Sequence, residues 1–238
     1  MSKLLPYFKI ESFGAVDGKG IRLVIFSQGC PYKCIYCHNP ESQTMKYEKT
    51  ISVKEILELY EKNKKYYKNG GITISGGEPL LHKEFCLAIA KECKSKKIDL
   101  AFDTSAATFI KSNLSFYKSL IKYKPYFLVD IKGLNKVDHK KITGVSNTNE
   151  LDLIKFLELN KIKYTIRYVL LQNYTDGDKQ LTMLKQFIKP LKYMDKIDFL
   201  PFHNYAKDKY VSLKKKYILK DYEAYSKTKL NKIIKQFN

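Results

Sequence analysis

Three cysteines fall close together in "GCPYKCIYCHNP" (29–40), at Cys30, Cys34 and Cys37, in a chain that has five cysteines in all. The CxxxCxxC spacing, flanked by Gly29 and Pro31, lets short turns point all three sulfurs towards one compact metal centre. Structural zinc normally takes four protein ligands, and the fourth is missing here. His38 could complete such a site on composition, but it adjoins Cys37, and adjacent residues rarely reach one ion without strain. A cubane four-iron four-sulfur cluster held by three cysteines fits better, because its fourth iron stays open to bind something else. The other two, Cys86 and Cys93, lie seven apart in "FCLAIAKEC", on one face of an expected helix, where buried packing is the expected role. An odd number of cysteines, three of them crowded, makes a poor disulfide framework and points to a reducing compartment.

The elements that must position this loop are read from hydrophobic periodicity. Strand-like runs are "IRLVIFS" (21–27), "GITIS" (71–75), "IDLAF" (98–102), "YFLVDI" (126–131), "KYTIRYVLL" (163–171) and "KIDFL" (196–200). Helical stretches are expected at about 52–68, 83–97, 107–123, 148–160, 179–193 and 221–236. The first opens "SVKE", in which Ser52 can cap the helix while Glu55 reaches back, a capping box. Alternating strands and helices imply an α/β fold of parallel strands with right-handed crossovers, either an open doubly wound sheet or a full or partial barrel. With 238 residues, 44% of them hydrophobic, one sizeable core is expected. We expect a single domain over 1–238, with its core at about 15–204 and a helical extension at about 205–238.

Polar residues cluster on this map. The cysteine loop follows the first expected strand, "SGGEP" (75–79) the second, Asp103 and Thr104 the third; Asp130 and Lys132 end the fourth, Arg167 lies within the fifth, and "PFHN" (201–204) follows the sixth. All but Arg167 sit at C-terminal strand ends, which in a β/α barrel converge on the rim where active sites are built.

The net charge of +20 comes from 44 basic against 24 acidic residues. Lysine, scattered along the chain, supplies nearly all of it, and arginine occurs only at Arg22 and Arg167. Nucleic acid is therefore not the expected partner, since bidentate recognition favours arginine; an acidic protein partner suits the charge. No apolar run approaches a membrane span and the N-terminus lacks a secretory pattern, so we expect a cytoplasmic protein.

CxxxCxxC with an aromatic, Tyr36, before the last cysteine is similar to the signature of the radical S-adenosylmethionine (SAM) enzymes, and "GGE" at 76–78 resembles their motif for the methionine amino group. More narrowly, "SFGAVDGKGIRLVIFSQGCPYKCIYCHNPES", "TISGGEPLL", "DTS", "VDIKG", "TGVSN", "IRYVL" and "LPFHNYAKDKY", running in order from Glu11 to Tyr210, resemble the pyruvate formate-lyase activating enzyme family. The resemblance implies a partial (β/α)6 barrel of the radical SAM type, with parallel strands and outer helices. It also implies a reduced cluster that cleaves SAM, after which hydrogen is removed from a glycine of pyruvate formate-lyase (formate acetyltransferase).

Carried over residue by residue, Cys30, Cys34 and Cys37 would hold the cluster. Tyr36, Cys37, His38, Gly76, Gly77, Glu78, Asp130, Ile131, Lys132, Arg167 and His203 would line the SAM site. Asp103, Thr104, Leu128 and Asp130 match a group that would hold a monovalent cation, and Asp17 with His38 would meet the partner's glycyl loop. The electron would come from a flavodoxin or ferredoxin-like donor, and the enzyme would act as a monomer. The chain departs from the family pattern in "DTSAAT", in "DGKG" where proline is usual, and at Gln172. It has no inserted ferredoxin-like module, which favours the short type. Activation of another glycyl radical enzyme, such as anaerobic ribonucleotide reductase, is one alternative; a zinc-containing nucleic-acid-binding protein is a more distant one.

Overall fold

The computed structural model describes residues 3–145 and 148–237. Ser146 and Asn147, the end of the "TGVSN" motif, lie outside the described residues. The chain divides into two compact units, Met1–Pro31 with Glu41–Leu128, and Tyr32–Pro40 with Val129–Asn238.

The first unit contains β1 (Leu4–Gly14), β2 (Arg22–Ser27), β3 (Thr50–Ser52), α1 (Val53–Asn63), β4 (Gly71–Gly76), α2 (Lys83–Ser95), β5 (Asp99–Thr104) and α3 (Leu114–Leu120). β2, β4 and β5 are parallel neighbours, with Ser27 paired to Gly76 and Ile74 to Phe102. Leu23, Val24, Ile25, Ile72 and Ile74 are all buried. Such continuous apolar runs are what parallel strands covered on both faces require. The capping box is present: Glu55 N donates to Ser52 Oγ at 3.2 Å and Ser52 N donates to Glu55 Oε2 at 2.8 Å.

β6 (Tyr126–Ile131) begins in the first unit and ends in the second, which continues with α4 (Lys136–Thr143), α5 (Asn149–Leu159), β7 (Tyr164–Leu170), α6 (Asp178–Ile188), β8 (Met194–Pro201), α7 (Lys207–Ser212) and α8 (Lys227–Phe237). β7 and β8 pair in parallel, with Arg167 opposite Asp198. Among the described residues no helix is long and apolar enough to cross a membrane.

The six expected strands are present as β2 and β4 to β8, and two more join them. β1 pairs antiparallel with both β2 and β3. Its pairing with β2 shifts register between Tyr7 and Lys9 and again between Glu11 and Gly14, which breaks the alternation that sequence reading depends on. α4 and α7 are also additional, and α3 is shorter than the expected 107–123 because Lys111–Asn113 and Ile121–Tyr123 are 3-10 turns.

One buried cation ties the start of β2 to its neighbours. Arg22 is 1% exposed, yet its Nε donates to Thr73 Oγ1 at 2.6 Å and its Nη1 to Lys19 O at 3.1 Å. Its Nη2 donates to Ile72 O at 2.8 Å and lies 2.6 Å from Asp99 Oδ1. The Thr73 hydroxyl passes the chain on, donating to Asp17 O at 2.7 Å. Removing one member of such a pair strands the other, and here the stranded member would be the buried one. Because the Asp99 side chain is 58% exposed, the 3–5 kcal/mol usual for a fully buried pair is discounted for solvent screening. Asp99→Ala is expected to lower the unfolding free energy by about 2 kcal/mol in urea titration, against a few tenths for a surface change such as Lys54→Ala.

Candidate active site

In the first unit the loop after β4 carries the Gly-Gly-Glu sequence. Gly76 has φ +106°, and a Cβ there would lie 2.3 Å from Ser27 N; one on Gly77 would lie 2.2 Å from Gly29 O. Both glycines are thus pressed against the backbone that leads into Cys30. Gly77 N donates to Ser27 O at 2.9 Å and Glu78 N to Gly29 O at 2.8 Å. No side chain could occupy either position without moving backbone.

Glu78 is completely buried and its carboxylate is surrounded by donors. Oε1 accepts from Thr104 Oγ1 at 2.7 Å and Leu80 N at 3.1 Å, and Oε2 from Ser105 Oγ at 2.7 Å and Ser105 N at 3.0 Å. Burial raises the carboxyl above its ordinary value, and these hydroxyls and amides oppose the rise. The Thr104 hydroxyl thus donates to Glu78, and Asp103 Oδ2 accepts from Ser75 Oγ at 2.8 Å. Leu128 is buried in β6. Asp17 sits in the hairpin joining β1 to β2, at the N-terminal end of β2, whereas Cys30 follows its C-terminal end.

The second unit holds the rest of the cysteine loop. Lys33 N and Ile35 N donate to Thr143 O and Ile142 O at 3.1 and 2.9 Å, and Cys37 N donates to Cys34 O at 3.1 Å. Burial pushes the Cys34 thiol up to about 12, while the Lys132 ammonium works against it. Tyr36 is buried, with the Lys132 ammonium 5.6 Å from its ring centre. Lys132 Nζ donates to Asp130 Oδ2 at 2.6 Å, and Arg167 Nε stands 3.8 Å from Asp130 Oδ1. Burial alone would lower the Lys132 ammonium; Asp130 outweighs it, so the group remains a cation. Ile131, between Asp130 and Lys132, is buried.

His38 and His203 stack with ring centres 4.0 Å apart, and Tyr205 lies 4.3 Å beyond His203. His38 Nε2 donates to His203 O at 3.0 Å. Burial and then the neighbouring His203 lower the His38 ring to about 4, so it is neutral. Among the described residues, the buried Tyr36 Oη and His203 Nδ1 have no hydrogen-bond partner, which leaves two polar atoms for a polar ligand. This fits SAM, and three thiols on one loop fit a cluster. Among the described residues no three His, Cys, Asp or Glu side chains gather closely enough to hold a single metal ion.

Cys86 and Cys93 are buried free thiols on α2, as expected. The sequence reading missed Ser105, one residue past the Asp-Thr pair. It also missed Lys209 and Lys215, whose ammonium groups donate to His38 O and Pro40 O at 2.8 Å each and hold the exit of the cysteine loop. Nothing marks these two among so many lysines.

The Radical SAM superfamily pattern matches residues 24–184. The chain is 37% identical over 228 residues to the pyruvate formate-lyase-activating enzyme of Clostridium pasteurianum, covering 95% of this chain and 94% of that one. To the Staphylococcus aureus (strain USA300) enzyme of the same name it is 35% identical over 220 residues, 90% of this chain and 88% of that one. Among solved structures, a domain of pyruvate-formate lyase-activating enzyme from Bacteroides vulgatus ATCC 8482 matches 71% of this chain and 92% of its own, with a TM-score of 0.56 at 24% identity. Streptococcus suis SuiB bound to precursor peptide SuiA matches 96% of this chain and 47% of its own, with a TM-score of 0.67 at 20% identity. These likenesses establish the fold, an α/β partial barrel of the radical SAM type. With the fold, the cysteine loop and relatives that align over about nine-tenths of their length, this chain belongs to the Radical SAM superfamily and, within it, to the pyruvate formate-lyase-activating enzymes, which use a four-iron four-sulfur cluster and SAM to activate a glycyl radical enzyme.

Proposed function

We propose that this enzyme removes a hydrogen atom from a glycine of pyruvate formate-lyase, leaving the glycyl radical on that partner. The observation that carries the reading is the CxxxCxxC loop, with three cysteines and no fourth cysteine in residues 29–40. Cys30, Cys34 and Cys37 would hold the cluster, and the chemistry it would supply when bound and reduced is one-electron cleavage of a carbon–sulfur bond of SAM, the source of the hydrogen-abstracting radical.

The chain's own residues prepare that event. Cys34 must lose a proton that burial holds to about 12, and the Lys132 ammonium eases the loss. Gly76 and Gly77 offer backbone to the methionine end. The Glu78 carboxylate, with its four donors, shapes this loop from behind and leaves direct recognition to the main chain. Asp130 holds Lys132 and Arg167 as oriented cations for the SAM carboxylate. The neutral His38, His203 and Tyr205 rings form a surface on which adenine can stack. Asp103, Thr104, Leu128 and Asp130 would accommodate a monovalent cation, since carboxylates facing an anionic ligand need an intervening positive charge. Asp17 and His38 would receive the glycyl loop. Residues 1–238 form a single radical SAM domain in this reading, monomeric and cytoplasmic. A flavodoxin or ferredoxin-like protein delivers the electron, as the basic surface suits an acidic carrier, and nucleic acid has no part.

Electron paramagnetic resonance on anaerobically reconstituted, reduced protein tests this directly. A cluster signal that changes on adding SAM, then a glycyl-radical doublet on added pyruvate formate-lyase, is the expected result. A SAM response with no doublet would redirect the search to other glycyl radical enzymes, and bound zinc without a cluster would overturn the reading. Cys34→Ala is expected to cut SAM cleavage by at least about a hundredfold while circular dichroism stays that of the folded protein. For Glu78→Gln, which turns an amide towards the Ser105 N–H, denaturant titration is expected to show a loss of about 2 kcal/mol.

A further inference from the structure

Next to the cysteine loop lies an acid–base pair that none of the steps above uses. His139 of α4 and Glu150 of α5 are both 0% exposed, with Nε2 and Oε2 3.3 Å apart. His139 Nδ1 lies 3.0 Å from Val145 O, and a carbonyl only accepts, so Nδ1 carries hydrogen. Nε2 therefore is the ring nitrogen that faces Glu150, across a 3.3 Å separation that lacks the alignment of a hydrogen bond. A buried ionisable pair contributes little to stability compared with well-packed apolar residues of the same size, so its presence calls for a reason of specificity.

The contacts of the pair supply one. Tyr32, two residues before Cys34, packs edge-on against the His139 ring, with centres 5.2 Å apart and planes at 80°. The amides of Lys33 and Ile35, on either side of Cys34, donate to the last turn of α4. The Thr143 hydroxyl in that turn donates to His139 O at 2.7 Å. On its other side, Glu150 Oε1 accepts from the backbone N–H of Lys132 at 3.3 Å. Gly133 is pressed so close to α4 that a Cβ there would sit 2.4 Å from His139 N. The exit of β6 and the middle of the cysteine loop thus lean on one pair from opposite sides.

We propose that His139 and Glu150 are positioning residues that hold Cys34 and Lys132 in a fixed mutual relation. Neither touches SAM or the cluster; they act through Tyr32 and through the Lys132 backbone. The idea rests on the reading of Cys34 as a cluster ligand, so its test begins on metal-free protein, where that reading plays no part.

Amide hydrogen exchange by mass spectrometry on the full metal-free chain provides the readout. In Glu150→Gln, exchange in residues 32–36 and around Lys132 is expected to speed up by on the order of tenfold, while β4 (71–76) keeps wild-type protection. Glu150→Asp is expected to restore much of that protection. Tyr32→Leu leaves the pair itself intact and is expected to release 32–36 but not Lys132. In the reconstituted protein, Glu150→Gln should bind wild-type amounts of iron yet give an altered change of the cluster signal on adding SAM. Wild-type exchange at 32–36 in both folded variants would overturn the proposal. So would equal loss of protection in β4, which would make the pair a general stabiliser.

Discussion

The in-register parallel pairing of β2 with β4 decides where this protein can do chemistry. Because Ser27 lies opposite Gly76, both strands leave the sheet at one level, and their exits must share the same space. Only a loop without side chains can lie against the 27–29 backbone as closely as Gly76 and Gly77 do. Glu78 then locks that loop to the end of β5 through Thr104 and Ser105, so the first turn of the cysteine loop, the glycine loop and the exit of β5 form one rigid assembly. Alanine at Gly76 would have to displace the main chain at Phe26–Ser27, and alanine at Gly77 that at Gly29.

Buried charge is used throughout with the same economy. Arg22, Glu78 and Lys132 are each out of water, and each has a dense set of partners: carbonyls and a carboxylate for Arg22, hydroxyls and amides for Glu78, and Asp130 for Lys132. Desolvating a charge is costly, and hydrogen bonds to the charged form offset it. The outcome is stiffness where position matters: Arg22 at the N-terminal end of β2, Glu78 behind the glycine loop, Lys132 at the exit of β6. The excess lysines are spread through the chain, and many lie on its exposed faces.

Much of this was legible in the sequence, and the reason is local. Cysteine spacing, the Ser52–Glu55 capping box and the buried parallel strands all follow from residues within a few positions of one another. β1 was not legible, since Lys9, Glu11 and Ser12 blur the alternation and two register shifts break it. α4 is polar and short, with Lys136, Asp138, Lys140 and Lys141 in eight residues, so no apolar stripe announced it. Of the site, residue types could be assigned by motif, but the division of labour could not. That the Glu78 carboxylate faces Thr104 and Ser105, and that Tyr32 meets His139 more than a hundred positions away, depend on tertiary packing.

The two cysteines outside the loop bear on which thiols can meet iron. Cys86 and Cys93 are sealed within α2, where burial holds both thiols above their ordinary value, that of Cys93 up to about 12. A thiol that stays protonated and out of reach is a poor nucleophile and a poor ligand. While the fold stands, neither can compete for incoming iron or pair with a loop cysteine. Of the five thiols, the three partly exposed ones on the loop are thus the ones within reach of iron or an oxidant.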